Sequence, residues 1–220
     1  MDAGMEKRIA ALEARLAEAE ARLQRQEDIE AIKRVQRAYG YYLDKSLYRA
    51  VADLFTDDGE IEIASRGVYK GRDRIHEFLV KLLGNGVEGP VHGHVGNHFQ
   101  LQAIVTIGDD GSTAKARWRA WVQVGDLGGM ANWLEGPYEI EYRKEAGVWK
   151  IASLIWFPSF TTPYADGWGK TFLQPSQETA DMPPDHKQTH DGVTAPEPWV
   201  MPFHYNHPVT GEPVIWKAKG

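Results

Sequence analysis

"GPYEIEYRKEAGVWKIASL", residues 136–154, decides the fold. Its two halves belong to long strands, "ANWLEGPYEIEYRKE" from Ala131 and "VWKIASLIWF" from Val148, and the "EAG" between them reads as a hairpin turn. Upstream the same pattern repeats. "STAKARWRAWVQV" (112–124) and "HVGNHFQLQAIVTI" (94–107) are strands, punctuated by "GDDG" and "GDLGG". Before residue 84 the period changes. Ile29, Ile32, Val35, Tyr39 and Leu43 recur at helical spacing and predict a core-facing helix to about Asp44. A second helix carries Leu47, Ala50, Val51, Leu54 and Phe55 and ends at the turn "TDDG". "EIEIA" (60–64) alternates as a strand, and "GRDRIHEFLVKLL" returns to helical spacing through Ile75, Phe78, Leu79 and Leu82. Helices first and an antiparallel meander after them give an α+β chain, with helices on one face of a curved sheet.

Both ends add to this domain of residues 28–157. Residues 1–27 are a helix rich in Ala, Glu, Arg and Leu, with Ile9, Leu12, Leu16, Ala19 and Leu23 forming a heptad seam. So short a helix has nothing of its own to bury that seam against. It reads as an oligomerisation arm or as a strut lying on its own domain, the alternative being a solvated helical tail. Residues 158–220 hold most of the prolines together with several Trp and Phe. That composition predicts an irregular wrap over the domain or a neighbouring subunit, burying Trp199, Phe203, Tyr205 and Trp216. The arm, and an outer sheet face carrying Arg117, Arg119 and Trp121, predict a homo-oligomer, a dimer or trimer.

Composition excludes several functions. The net charge of −6 leaves no electrostatic footprint for nucleic acid or an anionic membrane. There is no Cys, hence no thiolate chemistry, disulfide or cysteine-ligated metal. Charges every few residues in "MDAGMEKRIAALEARLAEAEARL" rule out a signal peptide or membrane span there, and a cytoplasmic protein is the expectation. No GxGxxG, phosphate loop or serine nucleophile motif supports hydride or phosphoryl transfer.

The chemistry must therefore come from His, Asp, Glu, Tyr or Lys. "VHGHVGNHFQ" (91–100) places His92, His94 and His98 two and four residues apart, where a strand would turn them to one face. Gly86, His92, Gly93 and His94 match the first half of a cupin metal motif, but the Glu that should follow is replaced by His98 and Phe99. No second half appears later. Acid/base work is the reading, with no metal and no cofactor.

"AYGYYLDKSLYRAVADLFTDDGEIEI", "GVYKGRDRIHEFL" and "GPYEIEYRKEAGVWKIASL", in that order over residues 28–157, resemble three signatures of SnoaL-like proteins. These belong to the nuclear transport factor 2-like (NTF2-like) superfamily, with scytalone dehydratase, polyketide cyclases and ketosteroid isomerases. The resemblance implies a cone, a curved sheet closed by helices around a deep, mostly apolar pocket. It places the pocket Asp on Asp44 and the strand His on His94. A carboxylate holding an imidazole fixes its tautomer and raises its basicity, as a general base needs. Each also has a plain alternative: Asp44 as the N-cap of the helix near Leu47, His94 as a hydrogen-bonded strand residue. The dehydratase's second His falls near Trp118, and its pocket Asn on Tyr138, nine residues before Gly147. An aromatic wall and a phenol in those places favour a flat aromatic substrate, with Tyr138 moving a proton or simply packing. Tyr41, Tyr42, His98 and Trp118 are candidate substrate contacts, one of the two tyrosines facing the pocket.

The added helix, aromatic-walled cone and Pro/Trp-rich wrap also resemble the build of bacterial enzymes that remove formaldehyde from lignin-derived diaryl compounds without a cofactor. A cofactor-independent lyase on a hydroxylated aromatic is the resulting expectation. The alternatives are a dehydratase, isomerase or cyclase on a polyketide- or steroid-like substrate, or a non-catalytic small-molecule binder.

Overall fold

A computed structural model describes residues 2–216. Helix α1 (Ala3–Leu43) is continuous, so the arm and the core-facing segment are one rod of 41 residues, N-capped by the Asp2 carboxylate. Its first half is exposed, and burial begins at Asp28. There one Asp28 oxygen accepts from Lys144 Nζ (2.7 Å), Trp149 Nε1 (2.8 Å) and Gln24 Nε2 (3.3 Å). Burial acts to raise the Asp28 pKa, but these donors outweigh it and hold the carboxyl below its usual range. They tie the rod to the sheet where it enters the domain.

A short α2 (Tyr48–Ala52) precedes strand β1 (Phe55–Ile63), β2 (Val68–Lys70) and α3 (Arg72–Phe78), which continues as a π-helical turn at Leu79–Leu83. The expected turn at "TDDG" lies inside β1. β1 pairs in parallel with a later strand on either side of residues 56–59, which form the irregularity between Phe55 and Glu60. The meander follows: β3 (His94–Ile107), β4 (Thr113–Asp126), β5 (Ala131–Glu145) and β6 (Val148–Trp156). Then β7 (Phe160–Pro163), inside the stretch expected to be irregular, pairs with the first half of β5 while β6 pairs with its second half. The sheet of seven strands runs β2-β1-β6-β5-β4-β3, with β7 beside β5. Among the named strands of the described residues, the β1–β6 pairing alone is parallel. A bulge between Leu101 and Ile104, where Gln102 takes a φ of 53°, bends β3 and helps curve the sheet.

Alternation decides what faces inward. On β4, Ala114, Ala116, Trp118, Ala120 and Val122 are buried, and Tyr138, Ile140 and Tyr142 are their counterparts on β5. Small residues flanking Trp118 leave room for the large rings opposite. Ile32, Tyr39 and Leu43 of α1 and Ile75, Phe78 and Leu79 close this concave face. Gly40 is where the rod comes nearest to β3. A Cβ there would lie 3.0 Å from Gln100 Cγ and 3.1 Å from the His98 carbonyl, so the missing side chain sets how closely α1 approaches the strand.

Arg117 and Arg119 are on the outer face, but the chain's own tail covers part of it. Arg117 is ion-paired with Glu139, donates to the Met201 and Pro202 carbonyls (2.9 and 2.7 Å) and lies under the Phe203 ring. His204 Nδ1 is 2.8 Å from Glu139, and Trp199 packs on Phe157. Trp199, Phe203 and Tyr205 are half-buried, whereas Trp216 is 42% exposed, contrary to expectation. Between tail and sheet lies a cavity of about 440 Å³.

A buried carboxylate latches the tail. Glu62, on β1, accepts from the Thr189 backbone N–H (2.8 Å) and hydroxyl (2.6 Å), with His190 Nε2 at 3.5 Å. Glu62→Ala leaves those donors without an acceptor, a loss of about 1–3 kcal/mol. We expect chymotrypsin to cut at Trp199 and Phe203 several times faster in this variant. An unchanged cleavage rate would mean the tail is held elsewhere.

Candidate active site

Asp44 is the C-cap residue just after the α1 rod, where the chain turns away towards α2. It does not cap α2, whose N-terminus has no side-chain cap. Its carboxylate instead reaches across to β3. Oδ1 accepts the His98 backbone N–H at 2.6 Å and lies 3.0 Å from the His98 ring Nδ1. The expected partner was His94, so the pairing differs from the expectation by two strand positions on the same face. With Nδ1 donating to the carboxylate, Nε2 is the basic nitrogen of the neutral ring. The side chains of His98 and Asp44 are 19% and 17% exposed, so both are sheltered without being fully buried.

His94 lies at the rim, with Nδ1 2.8 Å from Asp126. Gly96 separates the two histidines on this face. A Cβ there would stand 3.5 Å from His94 Nε2 and 3.6 Å from the Asp44 carbonyl, ordinary contact distances, so the end of α1 and His94 both border this position. His92 is exposed before β3 begins. The three histidines therefore do not form one cluster, and among the described residues no three His, Asp or Glu side chains converge as a metal site.

Deeper in the cone a polar chain runs across the apolar interior. Tyr142 donates to Gln36 Oε1 (2.9 Å), Gln36 Nε2 to Gln100 Oε1 (2.8 Å), and Gln100 Nε2 to the His98 carbonyl (2.8 Å). The Gln100 side chain thus ends on the histidine that Asp44 holds. Tyr138 is buried with its ring edge-on to Tyr39 (6.0 Å between centroids) and tilted against Trp156 (6.3 Å). Burial drives its hydroxyl pKa far above the ordinary phenol value. Hydrogen bonding from Tyr39 and Gln100 offsets part of that, and the negative charge of Asp44 adds to the rise. Tyr138 therefore stays protonated. Trp118 forms part of the wall as expected of an inward β4 residue. The indole N–H groups of Trp118 and Trp156 are buried with no acceptor among the described residues.

Of the two tyrosines before Asp44, Tyr42 packs on the core and Tyr41 is 75% exposed, which removes Tyr41 from the site. Sequence reading missed Gln36, Tyr39, Gln100, Asp126 and Trp156. Two of them carried a signal: Gln36 interrupts the apolar stripe of α1, and Gln100 follows His98 by two on the same strand face.

An Asp–His dyad beside the buried aromatic side chains of a curved sheet closed by a long helix is the geometry, and the comparisons supply the family. The model of the SnoaL-like domain matches residues 24–155. The chain belongs to the SnoaL-like family, and its fold is the NTF2-like cone. Among solved structures it is similar to hexachlorocyclohexane dehydrochlorinase LinA-type3 of Novosphingobium barchaimii, at 20% identity over 70% of this chain and 99% of that one, TM-score 0.57. A scytalone dehydratase-like protein of Novosphingobium aromaticivorans shares 20% identity over 71% and 96%, TM-score 0.56. An NTF2-like protein with a cystatin-like fold from the same organism shares 24% over 65% and 89%, TM-score 0.53. No curated protein matches the sequence significantly. No helix among the described residues is long and apolar enough to cross a membrane.

Proposed function

We propose that this protein is a cofactor-independent lyase that acts by acid/base catalysis on a hydroxylated aromatic compound. The net reaction proposed is release of formaldehyde from a lignin-derived diaryl diol. The observation that carries the reading is the Asp44–His98 dyad, an imidazole held by a carboxylate beside the buried aromatic side chains of the cone. A para-phenol on the substrate lets its benzylic hydroxyl leave as water, forming a quinone methide. His98 Nε2 then takes the proton of the terminal CH₂OH. The carbon–carbon bond breaks, formaldehyde departs, and the electron pair enters the quinone methide, restoring the phenol and leaving a diaryl alkene. Tyr138, kept protonated by burial, donates to a substrate oxygen. The unpaired indole N–H groups of Trp118 and Trp156 offer further donors, and the rings offer stacking faces. The rim pair His94–Asp126 assists entry or the departing hydroxyl.

Incubating the purified protein with a 1,2-diaryl-propane-1,3-diol bearing a para-phenol, without additives, should release formaldehyde and the alkene in equal amounts. Relatives with this fold include a dehydrochlorinase and a dehydratase-like protein, so eliminations deserve a parallel assay. Loss of water or halide with all carbons retained would move the assignment to a dehydratase or dehydrohalogenase. Tight binding with every ligand recovered intact would make the protein a binder. With an active substrate, Tyr138→Phe should cut turnover by about 10²-fold, the low end for one positioned acid/base group. A fall below about threefold would reduce Tyr138 to packing.

A further inference from the structure

The seam of the arm is fully formed and has nothing on it. Met5, Ile9, Leu12, Leu16, Ala19 and Leu23 fall on the a and d positions of successive heptads, and Leu12, Leu16 and Leu23 are 61%, 59% and 60% exposed. The cone cannot cover it. Leu23 and Ile32 are nine residues apart on one continuous helix, about two and a half turns, so the seam and the buried stripe face opposite ways. The stretch preceding Asp28 stands clear of the cone for about 36 Å.

The charges beside the seam identify what covers it. The positions flanking it on one side are Arg8, Arg15 and Arg22, and on the other Glu13, Glu20 and Glu27. In a parallel, in-register pair, each g residue meets the e residue five positions on in its partner. That sets Arg8 against Glu13, Arg15 against Glu20 and Arg22 against Glu27, and the same again with the copies exchanged. An antiparallel pair would set Arg against Arg and Glu against Glu. The segment complements itself in one orientation. We propose that the seam packs on the same segment of a second copy of this chain as a parallel coiled coil. The cones then lie side by side at its C-terminal end, with their Asp44–His98 sites left free.

The test uses the full chain. Sedimentation equilibrium should give a mass of two or three subunits at micromolar concentration, and the monomer mass would overturn the proposal. Arg8→Glu/Arg15→Glu/Arg22→Glu sets like charges face to face and should weaken assembly at least about tenfold. Mixing it with Glu13→Arg/Glu20→Arg/Glu27→Arg should restore a mixed assembly. Melting temperatures equal to wild type establish that the cone is intact in both. Assembly indifferent to these charges would also overturn the proposal. Orientation is read separately. Because the chain has no Cys, Met5→Cys supplies a single thiol, which should cross-link two copies on mild oxidation. An oligomer that fails to cross-link is not parallel.

Discussion

His98→Ala should lower turnover by about 10² to 10⁴-fold, the contribution of one positioned acid/base group, while leaving the melting temperature nearly unchanged. The ring is only partly buried, and its removal leaves no large cavity in the core. Asp44→Asn should cost nearly as much. An amide can still accept the His98 backbone N–H, so the end of α1 keeps its anchor, but it carries no charge to stabilise the imidazolium that forms when Nε2 takes a proton. The discriminating variant is His94→Ala. His94 is held by Asp126, whose side chain is 58% exposed at the rim, so its loss should cost less than about tenfold and fall mainly on KM. If His94→Ala abolished activity while His98→Ala kept it, the dyad would have been assigned to the wrong histidine.

That choice between two histidines is also where the sequence ran out. Strand periodicity puts residues 94, 96, 98 and 100 on one face, and the family resemblance puts an Asp at position 44. Neither fixes how far along β3 the end of α1 arrives. The register is tertiary. It is set by Gly40 lying against Gln100 and the His98 carbonyl, which leaves Asp44 one helical turn further on, level with His98. The meander was legible because its signals are local: alternating residues and Gly-containing turns. "TDDG" misled for the opposite reason. Its turn composition is local, but Phe55 and Glu60 on either side of it pair in parallel with β6, so the unpaired residues 56–59 are an irregularity within one strand. Tyr41 and Tyr42 show a similar limit. Adjacent helical residues differ by about 100° of rotation, and only contact with the sheet decides which turns inward. Trp216 differs within the single chain, where it stays 42% exposed, because hydrophobicity predicts that a residue is covered without saying by which part of the chain.

The largest stability effect is expected from a glycine in the hairpin that revealed the fold. Strand β5 is long enough to pair with two strands in turn, β6 along Tyr138–Glu145 and β7 along Asn132–Glu135. The chain must pass from one to the other without leaving the edge of β5, and Phe157 and Pro158 make that step against Gly136. A Cβ on residue 136 would lie 1.9 Å from the Phe157 carbonyl oxygen and 2.8 Å from its carbon. These are backbone atoms, so no rotamer change relieves the clash. The two strands must separate. Phe157 donates its N–H to the Pro137 carbonyl, and Ser159 donates to that of Glu135, so both bonds flanking the step are strained together. Gly136→Ala should destabilise the protein by about 3 kcal/mol, the upper end of the overpacking range. For a chain of this size that lowers Tm by about 6–12 °C. The site should feel it as well. Tyr138 and Trp156 are register partners directly beside the step, and their tilted contact forms part of the aromatic wall. A folded Gly136→Ala protein should therefore show weakened aromatic binding at temperatures well below its Tm. A Tm within about 2 °C of wild type would mean that β5 and β7 part with little cost, and that the step over Gly136 does not fix the wall.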